Sequence, residues 1–130
     1  MTTACDCRIL VVDDHPSLLR NLVALLEDED FTVVAAASGE EALRLIAEQE
    51  FQVIIVDMRL PGISGSEVIE IVAHDHPQLH FIIHTGSVDY VLTPEISALG
   101  ISEKDIFYKP ISDLDTFFAR IRFFCQVDCR

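Results

Sequence analysis

The stretch 51–65, FQVIIVDMRLPGISG, constrains the fold of this chain more than any other. Val53, Ile54, Ile55 and Val56 form an unbroken apolar run, too short for a helix and rich in β-branched side chains. That pattern predicts a strand buried on both faces. The run ends on a single carboxylate, Asp57, and then passes into loop residues, Arg59, Pro61, Gly62, Ser64 and Gly65. In parallel α/β sheets the carboxyl ends of the strands are where ligands bind. Asp57 is therefore a candidate for chemistry, with capping of the following helix as its plain alternative.

The rest of the chain repeats the strand-then-helix theme. Arg8–Val12 (RILVV) predicts a first strand, ending in Asp13-Asp14-His15-Pro16. Pro16 suits the first turn of a helix, and Leu18, Leu19, Leu22, Val23, Leu25 and Leu26 recur at helical spacing up to an acidic break at 27–30. A second β-branched run covers 31–36. Ser38 with Glu41 reads as a capping box for a helix carrying Ala42, Leu43 and Ile46. After the third strand at 52–57, a helix following Gly65 places Val68, Ile69, Ile71 and Val72 inward and stops before Pro77. His80–Thr85 is a fourth strand. Thr93-Pro94-Glu95 opens a short helix with Gly100 as its C-cap. Ile106–Tyr108 is a fifth strand ending in Lys109-Pro110, and Ser112 with Asp115 opens a last helix running through Phe124.

Alternation of this kind implies right-handed crossovers and a parallel sheet. The expected fold is a flavodoxin-like, doubly wound α/β sheet with five parallel strands in the order 2-1-3-4-5 and helices on both faces. No repeat or linker divides the chain, so residues 1–130 are expected to form one domain with a core at about 8–124. A net charge of −13 argues against direct nucleic acid binding by this domain. The apolar runs fall far short of the roughly 20 residues of a membrane span. Residues 1–6 lack the basic-then-apolar start of a signal peptide, so a cytoplasmic protein is expected.

On such a sheet the polar ends of several strands share one edge. The first strand brings Asp13 and Asp14, the third Asp57, the fourth Thr85-Gly86 and the fifth Lys109-Pro110. Each has a bland reading: an N-cap for the acids, a backbone-satisfied hydroxyl for Thr85, a snorkelling amine for Lys109. Together they describe a site. Clustered carboxylates repel one another and call for positive charge. Lys109 supplies one, and a hard, oxygen-seeking Mg²⁺ suits the other, since it takes one or two carboxylates and keeps waters and a phosphate oxygen. No Cys or His other than His15 sits at helical or zinc-type spacing near this edge, which argues against zinc there.

With VVDDH, VDMRLPGISG, HTG and YKP in this order, the chain resembles the receiver domain of two-component response regulators over residues 8–124. The resemblance implies that Asp57 accepts a phosphoryl group from a histidine kinase or histidine phosphotransfer protein. It implies that Asp13, Asp14, Asp57 and the backbone carbonyl of Arg59 hold Mg²⁺, with Mn²⁺ as the alternative ion. Thr85 and Lys109 would contact the phosphoryl oxygens, and Gly86 would leave room beside them for water or a partner's side chain. Such a domain is a signalling switch that assists its own phosphorylation and dephosphorylation, acting on an output partner or through dimerisation. Ile106 departs from the family pattern, which has Tyr or Phe there. Phe107, Tyr108, Tyr90 and the 86–100 segment are the candidates to carry the switch instead, against Ile106 as plain strand core. A receiver-like module that docks a partner without being phosphorylated is the alternative function. A dehalogenase-type hydrolase would need a second Asp where Arg59 stands.

Cys5 and Cys7 precede the first strand, and Cys125 and Cys129 end the last helix. The two pairs are expected at the sheet edge opposite Asp57. A zinc site or a disulfide is conceivable there, but the expectation is reduced, metal-free thiols, as a reducing cytoplasm dictates.

Overall fold

The computed structural model describes residues 7–87 and 90–128. Its elements are β1 (Arg8–Val12), α1 (Pro16–Asp28), β2 (Thr32–Ala36), α2 (Gly39–Glu48), β3 (Val53–Val56), α3 (Gly65–Asp75), β4 (His80–Thr85), α4 (Pro94–Ser97), a 3-10 turn at Glu103–Asp105, β5 (Ile106–Tyr108) and α5 (Leu114–Asp128). The strands form a five-stranded sheet in the order β2-β1-β3-β4-β5, with every pairing parallel.

Side-chain alternation along the strands builds two separate cores. Leu10, Val12, Ile54, Val56, Phe81 and Ile83 pack against α2, α3 and α4, through Ala42, Ile46, Val68, Ile69, Val72 and Ile96. Ile9, Val11, Val53, Ile55 and Ile82 face the other way, onto Leu22 and Leu26 of α1 and Phe117, Phe118, Ile121 and Phe124 of α5. This is why the β3 run shows no polar alternation: all four of its residues are buried, on one face or the other. Fully burying each such side chain stabilises the fold by roughly 1.5–3 kcal/mol before conformational entropy is counted.

Helix starts follow local chemistry. Ser38 Oγ accepts the Glu41 N–H at 3.1 Å. Ser64 and Glu67 form a reciprocal capping box, at 3.2 and 3.1 Å. Pro16 takes the first position of α1. The last helix departs from expectation: its cap is Asp113 rather than Ser112. Asp113 Oδ1 accepts the Thr116 N–H at 3.1 Å, and Oδ2 accepts the Thr116 hydroxyl at 2.6 Å. Each carboxylate oxygen thus takes one of the two Thr116 donors. The helix also runs beyond Phe124, to Asp128. Gly100, expected as the C-cap of α4, lies two residues past the actual cap Ala98 and adopts φ +93°.

The expectation of reduced thiols fails for Cys7 and Cys125, which form a disulfide with a Cα–Cα separation of 5.6 Å. The topology explains the pairing. Cys7 sits at the amino end of β1, a central strand, and α5 returns antiparallel to bring Cys125 to the same edge. Both side chains pack on the α1/α5 core. Cys5 and Cys129 lie outside the described residues.

Candidate functional site

Register sets the geometry of the site. Val12 pairs with Val56, and Val56 with Ile83. The residues just past β1 and β3 therefore emerge side by side. Asp13 and Asp57 are both buried, at 2% and 3% exposure. Neither caps a helix. Asp57 Oδ1 accepts the Arg59 N–H at 3.0 Å, which curls the loop around the carboxylate. Asp13 Oδ1 accepts the His15 N–H at 2.9 Å.

Lys109 reaches in from the end of β5. Its Nζ donates to Asp13 Oδ2 at 2.7 Å and to Asp57 Oδ2 at 3.1 Å. It does not snorkel: its side chain is only 13% exposed. Burial would lower the Lys109 pKa, but the hydrogen bonds and charges of Asp13 and Asp57 outweigh that and raise it above the ordinary lysine value. Burial would likewise raise the Asp13 carboxyl. The Lys109 hydrogen bond, the His15 N–H and the lysine charge reverse this and hold it below the usual range. Pro110 follows Lys109 through a cis peptide bond.

Thr85 is fully buried, and its Oγ1 accepts the Ser87 N–H at 3.1 Å. Among the described residues, a Cβ on Gly86 would meet only Lys109 Cδ, at 3.9 Å, so none of them fills the space beside the lysine. Asp14 is half-buried, and its Oδ1 is a buried atom with no hydrogen-bond partner among the described residues. One ligand atom from each of Asp13, Asp14, His15 and Asp57 lies within 4.8 Å of the others. A carboxylate oxygen without a hydrogen bond, beside two further carboxylates, is a donor set that fits a divalent cation.

The structure separates the aromatic candidates around β5. Ile106 pairs with Ile83 and packs on the α2–α4 core, together with Tyr90 and Leu92. Phe107 faces the other core, edge-on to Phe117 at 5.1 Å. Tyr108 is 40% exposed. The Tyr90 hydroxyl is buried without a hydrogen-bond partner among the described residues, and burial raises its pKa. Two histidines gain weight that sequence reasoning did not give them. His15 turns its ring toward the acids. His84, next to Thr85, is buried, and burial first and the Lys109 charge second push its pKa down to about 4, so it stands neutral near the lysine. The pattern HTG flags His84 only once strand alternation is known.

Gly65 fits the site to the fold. A Cβ there would overlap the Asp57 carbonyl oxygen and come within 2.6 Å of Met58 Cα, so the first turn of α3 lies directly on the backbone that carries Asp57. Backbone cannot swing aside as a flexible side chain can. Gly65→Ala is expected to cost about 1–3 kcal/mol, read from urea denaturation midpoints. Retained wild-type stability would mean that the loop yields freely.

This sheet order, with acids at the ends of β1 and β3 and a lysine after β5, describes the receiver fold. The chain belongs to the response regulator receiver domain family, whose pattern matches residues 9–122. Among characterised relatives it is similar to the DNA-binding response regulator MtrA of Mycolicibacterium smegmatis, with 36% identity over 93 residues, covering 70% of this chain and 41% of that protein. It is also similar to the transcriptional regulatory protein KdpE of Mycobacterium tuberculosis, with 34% identity over 116 residues, covering 88% of this chain and 49% of that protein. The chain thus spans less than half the length of these relatives. Among solved structures it superposes on a response regulator receiver domain from Clostridium thermocellum with a TM-score of 0.79 and 29% identity, covering 93% of this chain and 95% of that one. The response regulator TrrA of Thermotoga maritima, solved in complex with Mg²⁺–BeF, gives a TM-score of 0.79 at 27% identity, covering 91% of this chain and 98% of that one. No helix among the described residues is long and apolar enough to cross a membrane.

Proposed function

We propose that Asp57 accepts a phosphoryl group from the phosphohistidine of a histidine kinase or histidine phosphotransfer protein, as the input step of a two-component system. The observation that carries this reading is the position of Lys109, buried with its Nζ between Asp13 and Asp57. A cation held there stabilises charge on a phosphoryl group arriving at Asp57. Asp13, Asp14, Asp57 and the Arg59 carbonyl would hold Mg²⁺, with Mn²⁺ as the alternative. The ion supplies charge neutralisation for the transferring oxygens when bound.

In the transfer, the P–N bond of the donor breaks as a P–O bond forms to an Asp57 carboxylate oxygen. Lys109 and the Thr85 hydroxyl meet the phosphoryl oxygens. The open space beside Gly86 admits the water that later cleaves the acyl phosphate. Ile106 and Tyr90, packed on one core with Leu92, would carry the change from Thr85 into the 86–100 segment. The reading covers one receiver domain over the whole chain, acting in the cytoplasm through a protein partner or a second copy rather than by touching nucleic acid itself.

The test is incubation of the chain with Mg²⁺ and acetyl phosphate. The expected result is saturable uptake of about one labile phosphate per chain, abolished by a chelator. No uptake would favour a docking module that keeps the fold without the chemistry. Sustained release of many phosphates per chain would favour a hydrolase.

A further inference from the structure

We infer that His15 is a nitrogen ligand of the acidic site, and that it tilts the site toward a transition-metal dication of the Mn²⁺–Co²⁺ class and away from Mg²⁺. This rests on the reading above, that Asp13, Asp14 and Asp57 hold a divalent cation. His15 Nδ1 lies 3.2 Å from Asp13 Oδ1 and 3.3 Å from Asp14 Oδ1. Its ring nitrogen belongs to the same 4.8 Å group as the three carboxylates.

Local backbone chemistry aims the ring there. His15 occupies the N-cap position of α1 with extended dihedrals, φ −91° and ψ 108°, yet its side chain caps nothing. Pro16 forbids it a helical conformation. Its own N–H is tied to Asp13 Oδ1 at 2.9 Å, which pins the residue against the acid its ring also meets. The ring has no ion-pair partner other than Asp13 and Asp14 among the described residues. The side chain is 61% exposed, so solvent and ions reach the ring.

The consequence is one of selectivity. Mg²⁺ demands oxygen ligands and keeps its waters, so an imidazole gives it little. First-row transition dications gain from nitrogen in the Irving–Williams order. A site of oxygens alone would rank these ions more nearly together.

Isothermal titration of the full chain with Mg²⁺ and with Co²⁺ separates the two cases, using wild type, His15→Ala and His15→Gln. In both variants Co²⁺ binding is expected to weaken by about tenfold or more, since loss of even an outer-shell partner of a metal ligand costs that much. Mg²⁺ affinity is expected to stay within about twofold. Asp57→Asn should weaken Co²⁺ binding as well, which excludes binding at the other histidines. Unchanged Co²⁺ affinity in both variants, or an equal loss for both ions, would overturn the role of His15 while leaving the acidic site standing. Failure of wild type to bind either ion would overturn the acidic site itself, and this inference with it.

Discussion

Asp57→Asn is expected to take up no phosphate from acetyl phosphate and Mg²⁺ while keeping its fold. The substitution changes almost nothing in shape. The single amide oxygen can keep one of the two bonds that Asp57 now accepts, the Arg59 N–H on Oδ1 at 3.0 Å or the Lys109 ammonium on Oδ2 at 3.1 Å, and Lys109 keeps Asp13 in either case. What it removes is the negative charge that makes a carboxylate a nucleophile and a metal ligand. Labelling should therefore fall to background. Stability should not follow it down. Asp13 and Asp57 face a single lysine, and replacing one carboxylate by a neutral group relieves their mutual repulsion and leaves Lys109 with Asp13 at 2.7 Å. Urea denaturation is expected to show a midpoint equal to or slightly above that of wild type. Undiminished labelling of a folded Asp57→Asn protein would assign the phosphoryl group to another residue.

Opening the Cys7–Cys125 bond is expected to lower the free energy of unfolding by about 3–4 kcal/mol, or roughly 10 °C in Tm for a domain of this size. The bond joins residues 118 positions apart, so it restricts nearly the whole unfolded chain. Long loops gain most from such a constraint in the chain-entropy account. The folded state loses little when it opens, since both sulfurs stay packed against the α1/α5 core. The measurement compares wild type with Cys7→Ser/Cys125→Ser, both under oxidising conditions, by thermal and denaturant unfolding. Equal stabilities would mean that the folded domain does not use the bond. Phosphate uptake should be the same in both proteins, because the bond lies at the edge of the sheet opposite Asp57.

The architecture was legible because each strand carried its own signal. VIIV could only be a doubly buried strand, and the strands on either side of it could pair parallel only through helical crossovers. Strand order then placed Asp13, Asp57, Thr85 and Lys109 at one edge from sequence position alone. What sequence could not supply was distance. It offered Lys109 as a positive charge near the acids, but not as a single amine bridging two of them. It set Ile106, Phe107 and Tyr108 side by side as aromatic or apolar candidates, and only the pleat sends Phe107 to one core and Ile106 to the other. Asp113 lost to Ser112 as the expected cap because both are good capping residues and one position decides between them. The cysteines were misjudged for a different reason. The topology brings both ends of the chain to one edge, a proximity that a rule drawn from the redox compartment does not contain. His15 stands near the acids in the sequence as a single histidine, too few for zinc, and only the structure turns its ring onto them.

Consecutive residues of β4 belong to opposite sides of a partition. Phe81 and Ile83, and Thr85 by the same alternation, look toward α2, α3 and α4; Ile82 looks toward α1 and α5. The two sides are built differently. Behind the sheet stand the long helices α1 and α5, packed through Phe117, Phe118, Ile121 and Phe124 and riveted to β1 by a covalent bond. In front, α4 is a single turn of four residues, and Tyr90 beside it has its hydroxyl buried without a hydrogen bond among the described residues. Any displacement of Thr85 would therefore meet a one-turn helix and an unbonded hydroxyl in front of the sheet, and two long helices behind it.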